Sequence, residues 1–257
     1  MMDLITSTQN KRVKYAKSLQ LKARLRRSEM KIVLEGNRLI TDALERGANP
    51  EFALYTPDSA DYDLIAKLQN KRCELIPVSD EVLKHVSDTQ QSQGILGIFF
   101  IPKPPIPKNP NRVLIMDSIR EPGNMGTILR TAGAAGVELV ILSTGSVDPY
   151  NPKALRAGMG AHFRVPIVEA EWNEIQGFCE DMTVYATRAS AEQRYTDVDW
   201  TQSWAFIVGN EAHGISKRAA RVAQSDIAIP MASATESLNA AIATAVILFE
   251  AQRQRMS

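Results

Sequence analysis

Short apolar runs, each bounded by polar or charged residues, recur along the whole chain. Four fall in the first hundred residues: Lys31-Ile32-Val33-Leu34-Glu35, Phe52-Ala53-Leu54-Tyr55, Glu74-Leu75-Ile76-Pro77-Val78 and Ile95-Leu96-Gly97-Ile98-Phe99-Phe100. Their length and their β-branched and aromatic content predict strands. Helical spacing predicts helices near 37–46 and 60–71 between the first three, and a long basic helix over 10–27 ahead of them all. Six further runs, 112–117, 138–142, 164–168, 183–187, 204–208 and 226–229, are apolar throughout, as strands buried on both faces should be. Helical segments separate most of these, which predicts a parallel sheet. Leu238, Ala241, Ile242, Ala245, Leu248 and Phe249 recur at helical spacing and predict an alanine-rich C-terminal helix. Ser233 and Glu236 match a capping box for it, and Ser237 is an alternative cap one turn later.

The two sets of strands are separated by Ile101-Pro102-Lys103-Pro104-Pro105-Ile106-Pro107-Lys108-Asn109-Pro110, which holds five of the thirteen prolines. Such a stretch can neither continue a helix nor sit in a central strand, so it reads as a stiff extended linker. The expected organisation is a basic helical arm (1–30), a small α/β domain (31–100), a linker (101–111) and a larger α/β domain with a parallel sheet (112–257).

Composition narrows the class. The 257 residues are 44% hydrophobic and 23% charged, as in soluble globular proteins. No apolar run is long enough to cross a membrane, and no secretory signal follows the first residues. Cys73 and Cys179 lie far apart and outside any CxxC pattern, which argues against a disulfide scaffold or a cysteine zinc site. His85, His162 and His213 are scattered, so no metal site is expected, and the expected location is the cytoplasm. The net charge of +1 conceals an asymmetry: residues 1–38 carry ten basic side chains against three acidic ones, and the remainder is net acidic. A basic segment on a mildly acidic body suggests a polyanionic partner. Lys11, Arg12, Lys14, Arg24, Arg26, Arg27 and Arg38, with Arg120 in the second domain, are the candidate nucleic-acid contacts; a solvated helix face is the competing reading.

Three segments carry candidate chemistry. Asn124-Met125-Gly126-Thr127-Ile128-Leu129-Arg130 follows the first strand of the second domain, and a helix starting near Gly126 would carry Arg130 on its second turn. Val208-Gly209-Asn210-Glu211-Ala212-His213-Gly214-Ile215 follows another strand directly, and its glycines let backbone groups approach a ligand closely. Ile229-Pro230-Met231 then leads to the polar cluster Glu236, Ser237 and Asn239. Ligands of parallel α/β sheets bind at the carboxyl ends of strands, where all three segments fall. Neither a G-x-G-x-x-G after a strand nor a P-loop occurs.

In this order the segments N-x-G-x-x-x-R, G-N-E-x-x-G and I-P-M…E-S-L-N-A-A resemble the SpoU/TrmH family of S-adenosylmethionine-dependent RNA ribose 2′-O-methyltransferases, of the SPOUT class. The likeness covers about 112–253. Upstream, Leu34-Glu35-Gly36-Asn37-Arg38 and Gln93-Gly94-Ile95-Leu96-Gly97 resemble the family's L30e-like substrate-binding domain, with Ser92 standing where many members carry proline.

The resemblance implies a deep trefoil knot at the C-terminal end of the sheet, a feature rare among proteins, and a homodimer in which the arginine of one subunit works beside the other's cofactor. It implies that S-adenosylmethionine, leaving as S-adenosylhomocysteine, is held by Thr187, Arg188, Val208, Gly209, Asn210, Gly214, Ile229, Met231, Ser237, Leu238 and Asn239, with no metal. Asn124, Arg130, Glu211, Ser237 and Asn239 would form the catalytic set. A guanidinium does not normally deprotonate, so Arg130 is better suited to hold a phosphate and orient the 2′-hydroxyl, with Asn124 and Glu211 positioning it and Glu211 the candidate proton acceptor. The expected substrate is rRNA, such as 23S rRNA. A tRNA ribose methyltransferase, a non-catalytic RNA-binding protein and a small-molecule enzyme on the same kind of sheet are the alternatives.

Overall fold

The computed structural model describes residues 3–59, 61–232 and 238–256. In the N-terminal part the elements run α1 (Lys11–Leu21), α2 (Ala23–Glu29), β1 (Lys31–Glu35), α3 (Asn37–Glu45), β2 (Pro50–Tyr55), α4 (Tyr62–Asn70), β3 (Glu74–Pro77), α5 (Asp80–Val86) and β4 (Ile95–Phe100). There follow β5 (Arg112–Met116), α6 (Pro122–Ala134), β6 (Leu139–Ser143), α7 (Pro152–Gly158), β7 (Ile167–Ala170) and α8 (Trp172–Phe178). The chain closes with β8 (Thr183–Thr187), β9 (Trp204–Val208), α9 (Ala219–Val222), β10 (Ser225–Ile227) and α10 (Ala240–Met256). Two compact units result: residues 1–103 with 150–163, and residues 104–149 with 164–257.

The first unit is built on a four-stranded sheet in the order β1-β4-β2-β3. β4 runs antiparallel to both neighbours, so β1, β2 and β3 point the same way. Two motif segments meet at one end of this sheet: the Gly36 N–H donates to the Ile95 carbonyl at 3.1 Å, and the Gln93 side chain lies where a Gly36 side chain would go. Ser92 accepts the Gly94 N–H at 3.3 Å, so the serine in place of proline closes its own short turn.

The basic segment departs from expectation in two ways. The predicted helix over 10–27 is two helices, because Lys22 adopts extended backbone (φ −114°, ψ 103°). Arg26 is only 2% exposed and turns back to donate to the carbonyls of Leu19 (2.6 Å) and Gln20 (3.0 Å), closing the open end of α1. Nor is the segment a free arm. Val13, Ala16 and Leu19 are buried in one core with Val33, Phe52, Leu54 and Ile98. Burying an aliphatic side chain stabilises by about 1.5–3 kcal/mol, so deleting α1 would open this core as well as removing charge.

Residues 150–163, which the linker-based division assigns to the C-terminal domain, pack instead within the first unit. Leu155 of α7 is buried with Ile32, Leu34, Ile40 and Phe99. Arg156 pairs with Asp88 at 2.8 Å, and the rings of Tyr150 and His162 meet at a tilt of 45° with centroids 5.8 Å apart.

The second unit carries a fully parallel six-stranded sheet in the order β10-β8-β9-β5-β6-β7. Every residue of β6 and β9 is buried, as their unbroken apolar runs require. Helix α6 starts at Pro122, one turn before the expected Gly126: Glu121 caps it by accepting the Gly123 N–H, and Pro122 suits the first helical position. Asn239 caps α10, accepting the N–H groups of Ala241 (2.9 Å) and Ile242 (3.3 Å). The capping box Ser233–Glu236 and the alternative cap Ser237 lie outside the described residues. Among the described residues, no helix is long and apolar enough to cross a membrane.

Candidate active site

The carboxyl ends of β8, β9 and β10 and the start of α10 surround a cavity of about 530 Å³, within the range of small-molecule sites. Thr187, Arg188, Val208, Gly209, Asn210, Gly214, Ile229, Met231 and Leu238, all singled out from the sequence, line it together with Glu211. Ala189, Ser190, His213, Ala240 and Ala243 also line it and were not anticipated. Ser237 lies outside the described residues.

One wall is a tight turn. Asn210 and Gly214 exchange both backbone hydrogen bonds, at 2.8 and 2.9 Å. The Asn210 side chain is spent on holding this turn: Oδ1 accepts the N–H groups of Ala212 (2.9 Å) and His213 (3.3 Å), and Nδ2 donates to the Ser118 carbonyl (2.8 Å). Asn210 therefore offers a ligand its backbone surface, with its amide already satisfied. Behind the turn, Gly209 has no room for a side chain, since a Cβ there would stand 2.3 Å from the carbonyl carbon of Gly214. Along the wall the backbone N–H and C=O groups of Gly209, Ile229 and Met231 make no hydrogen bond to any described residue. They are donors and acceptors left for a ligand.

A buried carboxylate anchors the base of the site. Asp117, 1% exposed at the end of β5, accepts the Ser143 hydroxyl at 3.1 Å and the Ser216 N–H at 2.6 Å. It ties together the segments leaving β5, β6 and β9. A lone aspartate closing the apolar run Val113–Met116 is the sequence signal that could have found it.

At the mouth, three predicted residues form one hydrogen-bonded chain. Asn124 on α6 donates through Nδ2 to Glu211 Oε1 at 2.9 Å, and Asn239 Nδ2 donates to Asn124 Oδ1 at 3.1 Å. One amide thus orients the carboxylate and is itself oriented by the residue capping α10. Arg130 stands apart. Six residues along α6 it is displaced by about 9 Å and turned well away from Asn124; it is exposed, does not line the cavity and has no described partner.

Other groups are placed as follows. Arg188 is paired with Asp226 at 2.8 Å. Burial pushes the Cys73 thiol up to about 12 and Cys179 up to about 11, so neither is a thiolate at neutral pH. Among the described residues, no cluster of side chains could hold a metal ion. Of the candidate nucleic-acid contacts, Lys11, Lys14, Arg24, Arg27, Arg38 and Arg120 are exposed. Arg12 is occupied by Glu74 at 2.6 Å and stacks on Phe52, and Arg26 faces inward as described, which removes it from the set.

Residues 111–249 match the SpoU rRNA Methylase family, and residues 10–97 match the MRM3-like substrate binding domain. The mitochondrial rRNA methyltransferase 3 of Mus musculus is 36% identical, the alignment covering 89% of this chain and 69% of the mouse protein. The 23S rRNA (guanosine(2553)-2'-O)-methyltransferase RlmP of Bacillus subtilis is 30% identical over 96% of this chain and 98% of its own. Among solved structures, the AdoMet-bound rRNA methyltransferase from Sinorhizobium meliloti superposes with a TM-score of 0.88 at 30% identity, covering 100% of this chain and 99% of that one. The SpoU methyltransferase AviRb from Streptomyces viridochromogenes, in complex with AdoMet, gives a TM-score of 0.88 at 27% identity, over 97% and 99% of the two chains.

Proposed function

We propose that this chain, which belongs to the SpoU rRNA methylase family, transfers a methyl group from S-adenosylmethionine to a ribose 2′-hydroxyl of ribosomal RNA. The observation that carries the reading is the cavity itself: a wall of unpaired backbone groups continuous, at its mouth, with the Asn239–Asn124–Glu211 chain. The residues present fit the methyl donor. Gly209, Ile229 and Met231 offer backbone donors and acceptors for an adenosine, Leu238 and Ile227 offer apolar contact, and the absence of a side chain at Gly209 lets the Gly214–Ile215 backbone close behind the wall. When bound, S-adenosylmethionine supplies an activated methyl group and leaves as S-adenosylhomocysteine.

The protein's part is then positioning and proton transfer. Glu211, aimed by Asn124, is placed to accept the proton of the 2′-hydroxyl as the oxygen attacks. Arg130 holds the neighbouring phosphate by a charge-assisted, two-pronged contact. Because Arg130 does not face the cavity of its own chain, it serves the cavity of a second copy. The homodimer is supported by α10, on which Ile242 (54% exposed), Phe249 (52%) and Met256 (79%) form an outward stripe at seven-residue spacing. The reading includes the family's deep trefoil knot, where β10, β8 and β9 lie side by side, and a cytoplasmic location.

The test is transfer of labelled methyl from S-adenosylmethionine to unmodified rRNA, followed by alkaline digestion. Ribose 2′-O-methylation blocks cleavage, so the label is expected in an alkali-stable dinucleotide. Label appearing only in tRNA would shift the substrate, and tight RNA binding without transfer would leave a binding protein. For the dimer, Phe249→Asp is expected to halve the mass measured by light scattering and to abolish turnover; a monomeric wild type that methylates at full rate would contradict it. RNA contacts by α1 and α2 are best probed by neutralising Lys11, Lys14, Arg24 and Arg27, since α1 is part of the core.

A further inference from the structure

Beyond the cavity turn, three exposed cations take no part in the chemistry described above: Lys217, Arg218 and Arg221. Ile215 lines the cavity, and the next residue is fixed at both ends. The Ser216 N–H donates to the buried Asp117 carboxylate at 2.6 Å, and its hydroxyl accepts the Ala219 N–H at 3.1 Å. Two residues of chain span at most about 7 Å, so the Lys217 backbone stands at the rim of the cavity. Helix α9 then turns Ala219 inward, fully buried, with Val222 packed against the same core. That orientation sends Arg218 and Arg221, three positions apart, to one outer face.

None of the three cations pairs with a described residue. The carboxylate of Asp226, a few residues on, is already taken by Arg188 at 2.8 Å. Three like charges within five residues repel one another unless an anion is shared between them. Their base is rigid, their heads are free, and they border the place where a ribose must be presented.

We propose that Lys217, Arg218 and Arg221 form a phosphate-contact site on the second unit, holding the sugar–phosphate backbone of the RNA strand beside the methyl-donor cavity. This rests on the RNA methyltransferase reading. Contacts of this kind fix register and add salt-sensitive affinity without reading bases. They add to the salt-sensitive affinity expected of the exposed cations of α1 and α2.

The experiment compares the full-length wild type with the triple variant Lys217→Gln/Arg218→Gln/Arg221→Gln on unmodified rRNA. The dependence of log affinity on log salt is expected to become shallower by about 2–3 units of slope, at about 0.7–0.9 for each phosphate no longer neutralised. KM for rRNA should rise about tenfold or more at moderate salt. The effect should fall on KM, with S-adenosylmethionine affinity retained, and Lys217→Arg/Arg218→Lys/Arg221→Lys should restore binding. An unchanged slope and KM, with the wild type methylating rRNA, overturns the site and leaves the methyltransferase reading intact. A wild type that methylates no RNA sinks that reading, and this site with it. If the triple variant also loses methyl-donor affinity, Arg221→Gln alone decides: a slope reduced by roughly one unit supports the site, and an unchanged slope overturns it.

Discussion

Arg130→Ala is expected to reduce methyl transfer by at least about 100-fold, the usual consequence of losing a group that orients the reacting atoms. S-adenosylmethionine binding, followed by calorimetry, is expected to stay at the wild-type value, because Arg130 lies outside the cavity lining. Arg130→Lys recovers little, since an ammonium cannot reproduce the two-pronged guanidinium contact with a phosphate. The proposed sharing of Arg130 between two chains gives a sharper expectation. Mixing Arg130→Ala with a variant defective only in its own cavity creates hybrid dimers. In each hybrid, one intact cavity meets one intact arginine from the other chain. Random reassortment of equal amounts makes half of the dimers hybrids with one working site each, so about a quarter of wild-type activity returns. No recovery would mean that Arg130 serves its own cavity, and full activity of Arg130→Ala alone would remove it from the chemistry altogether.

Gly209→Ala is the natural cavity-defective partner for that experiment. The added methyl would stand 2.3 Å from the Gly214 carbonyl carbon and 2.5 Å from both the Gly214 oxygen and the Ile215 nitrogen. All three are backbone atoms, so relief requires the turn itself to move. Overpacking of this kind typically costs about 1–3 kcal/mol. Because the strain falls on the wall that faces the ligand, methyl-donor affinity is expected to weaken by about 10–100-fold. The melting temperature should fall by only a few degrees, as the sheet beneath is untouched. An unchanged dissociation constant would show that the turn does not touch the donor.

Much of this molecule can be read one-dimensionally because its central strands are almost wholly apolar. Trp204–Val208 has no polar position that would let it lie at a surface, and it is a central strand. The cavity loops were legible for a similar reason: glycine and polar residues directly after such a strand mark the edge where ligands bind. What was not legible depended on partners distant in sequence. Arg26 has the same local charge context as Arg24 and Arg27, and only the break at Lys22 turns it onto the α1 carbonyls. Asp117 gains its anchoring role from Ser143 and Ser216, one on each side of it in space. Ile242 and Leu248 share one periodic pattern, yet Leu248 is buried and Ile242 faces outward. Periodicity identifies a helix without saying how many of its faces are covered.

The course of the chain through α7 bears on how the protein emerges from the ribosome. The first unit reaches Lys103 with the place of Leu155 in its core still empty, and the segment that fills it ends only at Phe163. Sixty residues separate those two points, which at about 5–20 residues per second is about 3–12 s of translation. During that interval β5 and β6 are synthesised, so apolar strands of the second unit emerge before the first unit can close. The usual order, in which an N-terminal domain folds to completion before the next begins, is closed to this chain. Its early strands wait, partly uncovered, for residues that are made later.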